Sequence, residues 1–310
     1  KNIGGLCFFQ GSANTQAELT RQYQNVSKIP LLVSIDAEWG LGMRLKQDGF
    51  YFPKQLTLGA VQDNKLIYQM GKQMAAQLKF LGIHLNFAPV LDINNNPNNP
   101  VINDRSFGED KYKVAAFSIQ YMKGMQDNGV MACAKHFPGH GSVTADTHTH
   151  FTVDDRDYKT IEASDLIPFA QLSAYLDGMM ASHIVYKQVD PLPSGFSSYW
   201  LQSILRKQLN FAGAIFTDDL SMKAVQTIGT ISERIQLALQ AGCDGLLVCN
   251  CRQDAILALE NLERSPQLIK LYTVGRLQKL FPRRTLTLSA LQQTDTWRSA
   301  VNLLKPLLDN

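Results

Sequence analysis

Seven short apolar runs, rich in β-branched and aromatic residues, recur along the chain at 3–9, 31–35, 83–91, 130–136, 178–183, 212–217 and 244–249. Runs of this length read as strands, and where they scarcely alternate between polar and apolar positions, both faces of the sheet are covered. The stretches between them carry helical period instead. Leu66, Ile67, Met70, Met74, Leu78 and Leu81 lead to Gly82; Val114, Phe117, Ile119, Tyr121 and Met122 lead to Gly129; Ile235, Leu237, Ala238 and Ala241 lead to Gly242. A glycine in that place suits the turn that ends a helix. Strand and helix in repeated alternation predict a parallel sheet, so the expected class is α/β, a single TIM-type (β/α) barrel. Eight strands close such a barrel. The first is apparently absent or divergent here and would precede Lys1. With no Pro- or Ser-rich linker and no low-complexity tract, 1–310 is expected to be one domain. Trp297, Val301, Leu304 and Leu307 predict a last helix over 288–308, packed on the outside.

Composition removes several functional classes. The net charge of +3 comes from dispersed Lys and Arg, with no basic run of the kind that grips nucleic acid or an anionic membrane. The expected substrate is small and uncharged or modestly anionic. No apolar stretch reaches the roughly 18 residues of a membrane span, and no signal-peptide pattern is present. A cytoplasmic protein is expected; an exported one is the alternative, if a signal segment has been removed ahead of Lys1. Cys7, Cys133, Cys243, Cys249 and Cys251 make an odd set, mostly within apolar runs, and read as reduced core thiols. Cys249 and Cys251 are too close for a zinc-ribbon pair and have no second CxxC to complete four ligands.

The strand runs end repeatedly in residues able to do acid/base or hydrogen-bonding work: Asp36, Asp92, Lys135 with His136, His183 and Asp218. Any one aspartate could be a helix cap or a turn former. Together they fit the mouth of a β/α barrel, where the carboxyl ends of all strands converge. The stretch 135–150, KHFPGHGSVTADTHTH, holds His136, His140, His148 and His150, four of the six histidines. Two glycines and a proline make it an irregular loop directly after a strand. Four clustered histidines could suggest a metal site, but the spacing matches no helix-borne HExxH pair, and none is expected. Asp146 and His148, two apart, instead suggest a carboxylate that orients an imidazole for proton transfer near neutral pH. In 213–222, an apolar strand runs into Asp218 and Asp219. Adjacent side chains at a strand end diverge, so the two cannot enter one small pocket. Asp218 is placed to act as a nucleophile, and Asp219 is expected to cap the following helix.

In KHFPGHG followed by Asp146-Thr147-His148, in Phe216-Thr217-Asp218-Asp219-Leu220-Ser221-Met222, in Phe87-Ala88-Pro89-Val90-Leu91-Asp92 and in Arg105-Ser106-Phe107, the chain resembles the family 3 glycoside hydrolases. Within them it is similar to the bacterial β-N-acetylglucosaminidases of peptidoglycan recycling, over nearly its whole length. The resemblance implies a β/α barrel, Asp218 as nucleophile, His148 as acid/base and Asp146 as its partner. It also implies that Asp36, Arg105, Lys135 and His136 hold the sugar hydroxyls, with His183 lining the same pocket, and that no metal or organic cofactor is needed. Asp36-Ala37-Glu38-Trp39-Gly40-Leu41-Gly42 departs from the Asp-x-Glu-Gly-Gly of this branch. With Asn94-Asn95-Asn96-Pro97, it is more like the larger Bacteroidetes relatives, whereas the half from Lys135 onward is like the compact form.

The implied reaction is removal of a terminal GlcNAc from a β-glycoside, such as a peptidoglycan fragment or muropeptide, by a monomer with no nucleic-acid or membrane partner. Two rivals share these residues: a phosphorylase, because an imidazole acid/base tolerates phosphate as attacking group, and a sugar-binding barrel that has lost catalysis. A metal-dependent hydrolase built on the histidines is a third.

Overall fold

A computed structural model describes residues 3–46, 49–144, 151–265 and 271–281. The described residues form nine strands: β1 Gly5–Phe8, β2 Leu32–Ile35, β3 Leu85–Asn86, β4 Met131–Phe137, β5 Thr152–Asp154, β6 Gly178–Ala181, β7 Ile184–Tyr186, β8 Ala214–Asp219 and β9 Gly245–Leu247. The described residues divide into two compact units, one within 3–89, 116–133 and 280–281, the other within 90–115 and 134–279.

In the first unit β1, β2, β3 and the opening residues of β4 lie side by side, all parallel, with Gly5 opposite Leu32, Ser34 opposite Leu85, and Leu85 opposite Met131. Every residue of β2 is buried, as a run with no polar alternation requires. The predicted 66–81 segment is the helix Asn64–Phe80, opened by Asp63, whose carboxylate accepts the N–H groups of Lys65 and Leu66. Its inward stripe, Ile67, Met70, Met74 and Leu78, is fully buried, each side chain adding about 1.5–3 kcal/mol relative to exposure. The run predicted over 83–91 gives only the two residues of β3 plus one bridge at Val90. Pro89 has no N–H to offer a ladder, which breaks the strand short of Asp92.

The second unit holds the rest of β4, then β6, β8 and β9 in that order, with Gly178 opposite Ala214 and Phe216 opposite Gly245. The helix Ile231–Ala241 begins with a capping box between Thr230 and Glu233 and ends at Gly242, as the sequence predicts. Asp244, fully buried, is gripped by Arg206 at 2.7 Å and Arg276 at 3.1 Å and accepts the Ile215 N–H. This ties the helix Leu271–Gln278 to the start of β8. A separate parallel pair, β5 with β7, was not predicted. The seven sheet strands and their helices form the β/α architecture expected, and no helix among the described residues is long and apolar enough to cross a membrane. Cys133 and Cys243 are buried thiols, but Cys7, Cys249 and Cys251 are half-exposed, a correction to the reading of a buried set. The segment 288–308 lies outside the described residues.

Candidate active site

Asp92 follows the broken strand run and is completely buried, which a carboxylate tolerates only if its oxygens find donors. They do. Oδ1 accepts the His140 N–H at 2.6 Å, and the carboxylate accepts the His136 N–H at 3.2 Å and His136 Nδ1 at 2.6 Å. A carboxylate can only accept, so Nδ1 of His136 carries the proton and Nε2 is the nitrogen left to the site. Burial pushes the Asp92 carboxyl up, but the His136 charge and hydrogen bond, with the help of His140, overcome it and hold the carboxyl below its ordinary value. Ser106 fixes the backbone of the same residue by donating to the Asp92 carbonyl at 2.6 Å. The rings of His136 and His140 meet edge-on at 5.7 Å. Burial, with the neighbouring His136 charge, lowers His140 to about 4, so its imidazole is neutral near pH 7.

At the end of β8 the paired aspartates separate as predicted, with one change. Asp219 accepts the Ser221 N–H at 2.9 Å, the Ser221 hydroxyl at 2.7 Å and the Cys249 N–H at 2.9 Å. It therefore fastens the turn after β8 to the chain after β9. It does not cap the next helix, Lys223–Gln226, whose cap residue is Met222 with no side-chain bond. Asp218 accepts one hydrogen bond, from the Asp219 N–H to Oδ1 at 2.8 Å, which leaves Oδ2 without a donor among the described residues. Burial opposes its ionisation, but His183, His136, the Asp219 N–H and Lys135 together hold its carboxyl below the ordinary range. His183 is buried, contacts the Asp219 carbonyl through Nε2 at 3.1 Å and stacks on Phe196 at 5.8 Å. Burial lowers its pKa, more than Asp218 and Asp219 raise it.

The loop after β4 is shaped by its glycines. Gly141 lies so close to the Ile93 carbonyl that a Cβ would overlap it, and Gly139, at φ +138°, would set a Cβ 2.6 Å from that of Asp165. Tyr186 donates to the Gly139 carbonyl at 2.6 Å, and Asn99 donates to the His140 carbonyl at 2.7 Å. The peptide bonds Lys135–His136 and Phe137–Pro138 are cis.

Of the residues singled out in the sequence, Lys135, His136, His183 and Asp218 are brought together in the second unit, where the first three favour the ionised form of the fourth. Arg105 is in the same unit; its guanidinium donates to the Val101 carbonyl at 3.1 Å, and its charge reaches His140. Asp36 is in the first unit, held by Arg44 at 2.8 Å, itself 4.5 Å from the centre of the Phe9 ring. Asp146 and His148 lie outside the described residues. The sequence reading missed three contributions: Asp92 as the partner of His136, Arg44 as the clamp on Asp36, and Arg156 with its two aspartates. Among the described residues no group of three or more His, Cys, Asp or Glu is arranged to hold a metal.

The family model for the glycosyl hydrolase family 3 N-terminal domain matches residues 1–277. The chain is 41% identical to a β-hexosaminidase of Nitrosomonas eutropha over 272 residues, covering 84% of this chain and 78% of that protein. Among solved structures it resembles NagZ of Neisseria gonorrhoeae bound to N-trifluoroacetyl-D-glucosamine, with 31% identity, a TM-score of 0.84, and coverage of 98% of this chain and 91% of that one. It also resembles a family 3 β-N-acetylglucosaminidase from a Paenibacillus species, at 32% identity and a TM-score of 0.88. It covers 98% of itself but spans only 62% of that longer chain.

Proposed function

The chain belongs to glycosyl hydrolase family 3, and from that membership we propose that it is an exo-acting, retaining β-N-acetylhexosaminidase that removes terminal GlcNAc from β-glycosides. The observation that carries the reading is the state of Asp218. It is a carboxylate held below its ordinary pKa at a strand end, with one oxygen meeting no donor among the described residues, beside imidazoles and a lysine. Asp92, Asp154, Asp165, Asp219 and Asp244 are each engaged by two or more donors from other residues, and a carboxylate held that way is a poor nucleophile. In the first step Asp218 attacks the anomeric carbon as His148, oriented by Asp146, gives its proton to the departing oxygen. The product is a glycosyl ester on Asp218 and the free aglycone. In the second, neutral His148 takes a proton from water, which attacks the same carbon and frees Asp218. Lys135, His136, Arg105, His183 and Asp36 are assigned to the sugar, with Asp92 holding His136 so that Nε2 faces it.

The proposed substrate is a GlcNAc-terminated glycan or muropeptide, and the proposed setting is peptidoglycan recycling in the cytoplasm. Hydrolysis of a chromogenic β-N-acetylglucosaminide, compared with the matching β-glucoside, tests the assignment. Asp218→Ala should abolish turnover, and near wild-type hydrolysis by that variant would sink the proposal. Running the reaction in phosphate buffer separates hydrolysis, which releases free GlcNAc, from phosphorolysis, which releases the sugar 1-phosphate.

A further inference from the structure

Arg156 is a half-buried cation with no place in the reaction just described. Its side chain is 24% exposed, and those of Asp154 and Asp165 are 3% and 1% exposed. The guanidinium donates to Asp154 through Nε at 3.0 Å and Nη2 at 2.7 Å, and to Asp165 through Nη1 at 2.7 Å and Nη2 at 3.2 Å. Such a triad is a poor device for stability alone, because desolvating three charges offsets most of their attraction, and an apolar replacement is often as stable. It is a good device for fixing geometry. The planar fork sets both distance and angle to each carboxylate, which an ammonium cannot do.

What it fixes is specific. Asp154 is the last residue of β5, two residues beyond Thr152, where the chain leaves the histidine-rich stretch. β5 pairs with β7, Thr152 opposite Ile184, so that exit runs alongside the strand that starts one residue after His183. Asp165 belongs to the entry side. Its Oδ1 is 3.4 Å from the Ser142 hydroxyl, and its side chain lies against Gly139. Ser142 is held a second time by Asn95, at 3.0 Å, and its carbonyl accepts from Asn96 at 2.8 Å. Asp165 also stands at the start of the helix Leu166–Leu172 yet makes no capping bond to it, spending its oxygens on Ser164, Arg156 and Ser142. A residue in that position that forgoes its cap is serving the loop stem.

We propose that Arg156 is a positioning residue: with Asp154 and Asp165 it locks the two stems of the 143–153 segment at a fixed separation, and so sets where that segment delivers its proton donor. The inference rests on the reading of His148 as that donor. A loop displaced by about 1 Å can cost on the order of a hundred-fold in the step it serves.

The test is the dependence of kcat/KM on the leaving group, measured with a 4-nitrophenyl and a 4-methoxyphenyl β-N-acetylglucosaminide for wild type, His148→Ala, Arg156→Lys and Ser142→Ala. A good leaving group departs without a proton and a poor one does not. His148→Ala should therefore widen the ratio of the two rates by on the order of a hundred-fold or more. Arg156→Lys keeps the charge but loses the fork and should widen it by about ten- to a hundred-fold, with a cooperative thermal melt. A purely structural role would lower both rates alike and leave the ratio at the wild-type value, and that result in Arg156→Lys overturns the inference alone. If Arg156→Lys does not fold, Ser142→Ala, which leaves all three charges in place, must still widen the ratio by about three-fold, roughly 0.7 kcal/mol; an unchanged ratio there is equally fatal. An unchanged ratio in His148→Ala removes the reading of the donor and this inference with it.

Discussion

Replacing Asp92 by Asn changes one atom and should damage both the fold and the chemistry. The native carboxylate receives His136 Nδ1 at 2.6 Å, the His140 N–H at 2.6 Å and the His136 N–H at 3.2 Å. An amide keeps a single accepting oxygen. With that oxygen turned to the His140 N–H, its NH₂ faces the proton on His136 Nδ1. The conflict is relieved only if His136 gives up that proton or turns its ring, and either change alters what Nε2 presents to the site. The loss of charge-assisted bonds, partly offset by no longer burying a charge, gives about 2–4 kcal/mol of destabilisation. One disturbed hydrogen bond toward the substrate, about 1–3 kcal/mol, gives roughly a ten- to hundred-fold loss in kcat/KM. Urea unfolding measures the first, and initial rates on a chromogenic β-N-acetylglucosaminide at pH 7 measure the second. His136→Ala and the double variant complete a cycle, in which the two substitutions should be coupled by at least about 1 kcal/mol, because Asp92 acts through His136. Additive effects on kcat/KM, or a single Asp92→Asn variant within about two-fold of wild type, would refute the reasoning.

Acid should destabilise the protein well above the carboxylate range. Burial lowers both His84, which accepts the Val33 N–H through Nδ1, and His140 to about 4 from the ordinary 6.5. The unfolded chain therefore binds more protons between those values, and stability falls as pH drops from about 6.5 to 4, by up to about 3 kcal/mol per histidine. A flat urea midpoint across that window refutes this. Asp219→Ala should cost about 2–4 kcal/mol by releasing Ser221 and Cys249, whereas Asp218→Asn should abolish turnover with little change in melting temperature; equal melting losses in the two variants would contradict the division of labour. Asp244→Ala strands Arg206 and Arg276 and should cost about 3–5 kcal/mol in thermal or urea unfolding.

The main strands and the helices around them were legible because each rests on a local pattern: a largely apolar run for β2 or β4, and a stripe closing at a glycine for the helix that ends at Gly242. The same logic fails for β5 and β7, three residues apiece, where no period can develop and only their pairing defines them as strands. It also fails for carboxylates. Asp218 and Asp219 are chemically identical neighbours, and what assigns one to structure is a backbone N–H thirty residues further on, at Cys249. Asp92 is legible as polar at a strand end, but its partner His136 is 44 residues away.

A sequence shows where a carboxylate stands, while its chemistry depends on how many donors reach it. Arg156 makes the same point from the other side. Read along the chain, Asp154 and Arg156 are an ordinary i, i+2 surface pair, and Asp165 is an ordinary helix cap. In the folded unit one guanidinium joins them, and the cap goes unmade. The charges that could be spared for catalysis and those committed to holding it in place are thus told apart by saturation. Asp92, Asp165 and Asp219 have their oxygens engaged, whereas Oδ2 of Asp218 meets no donor among the described residues.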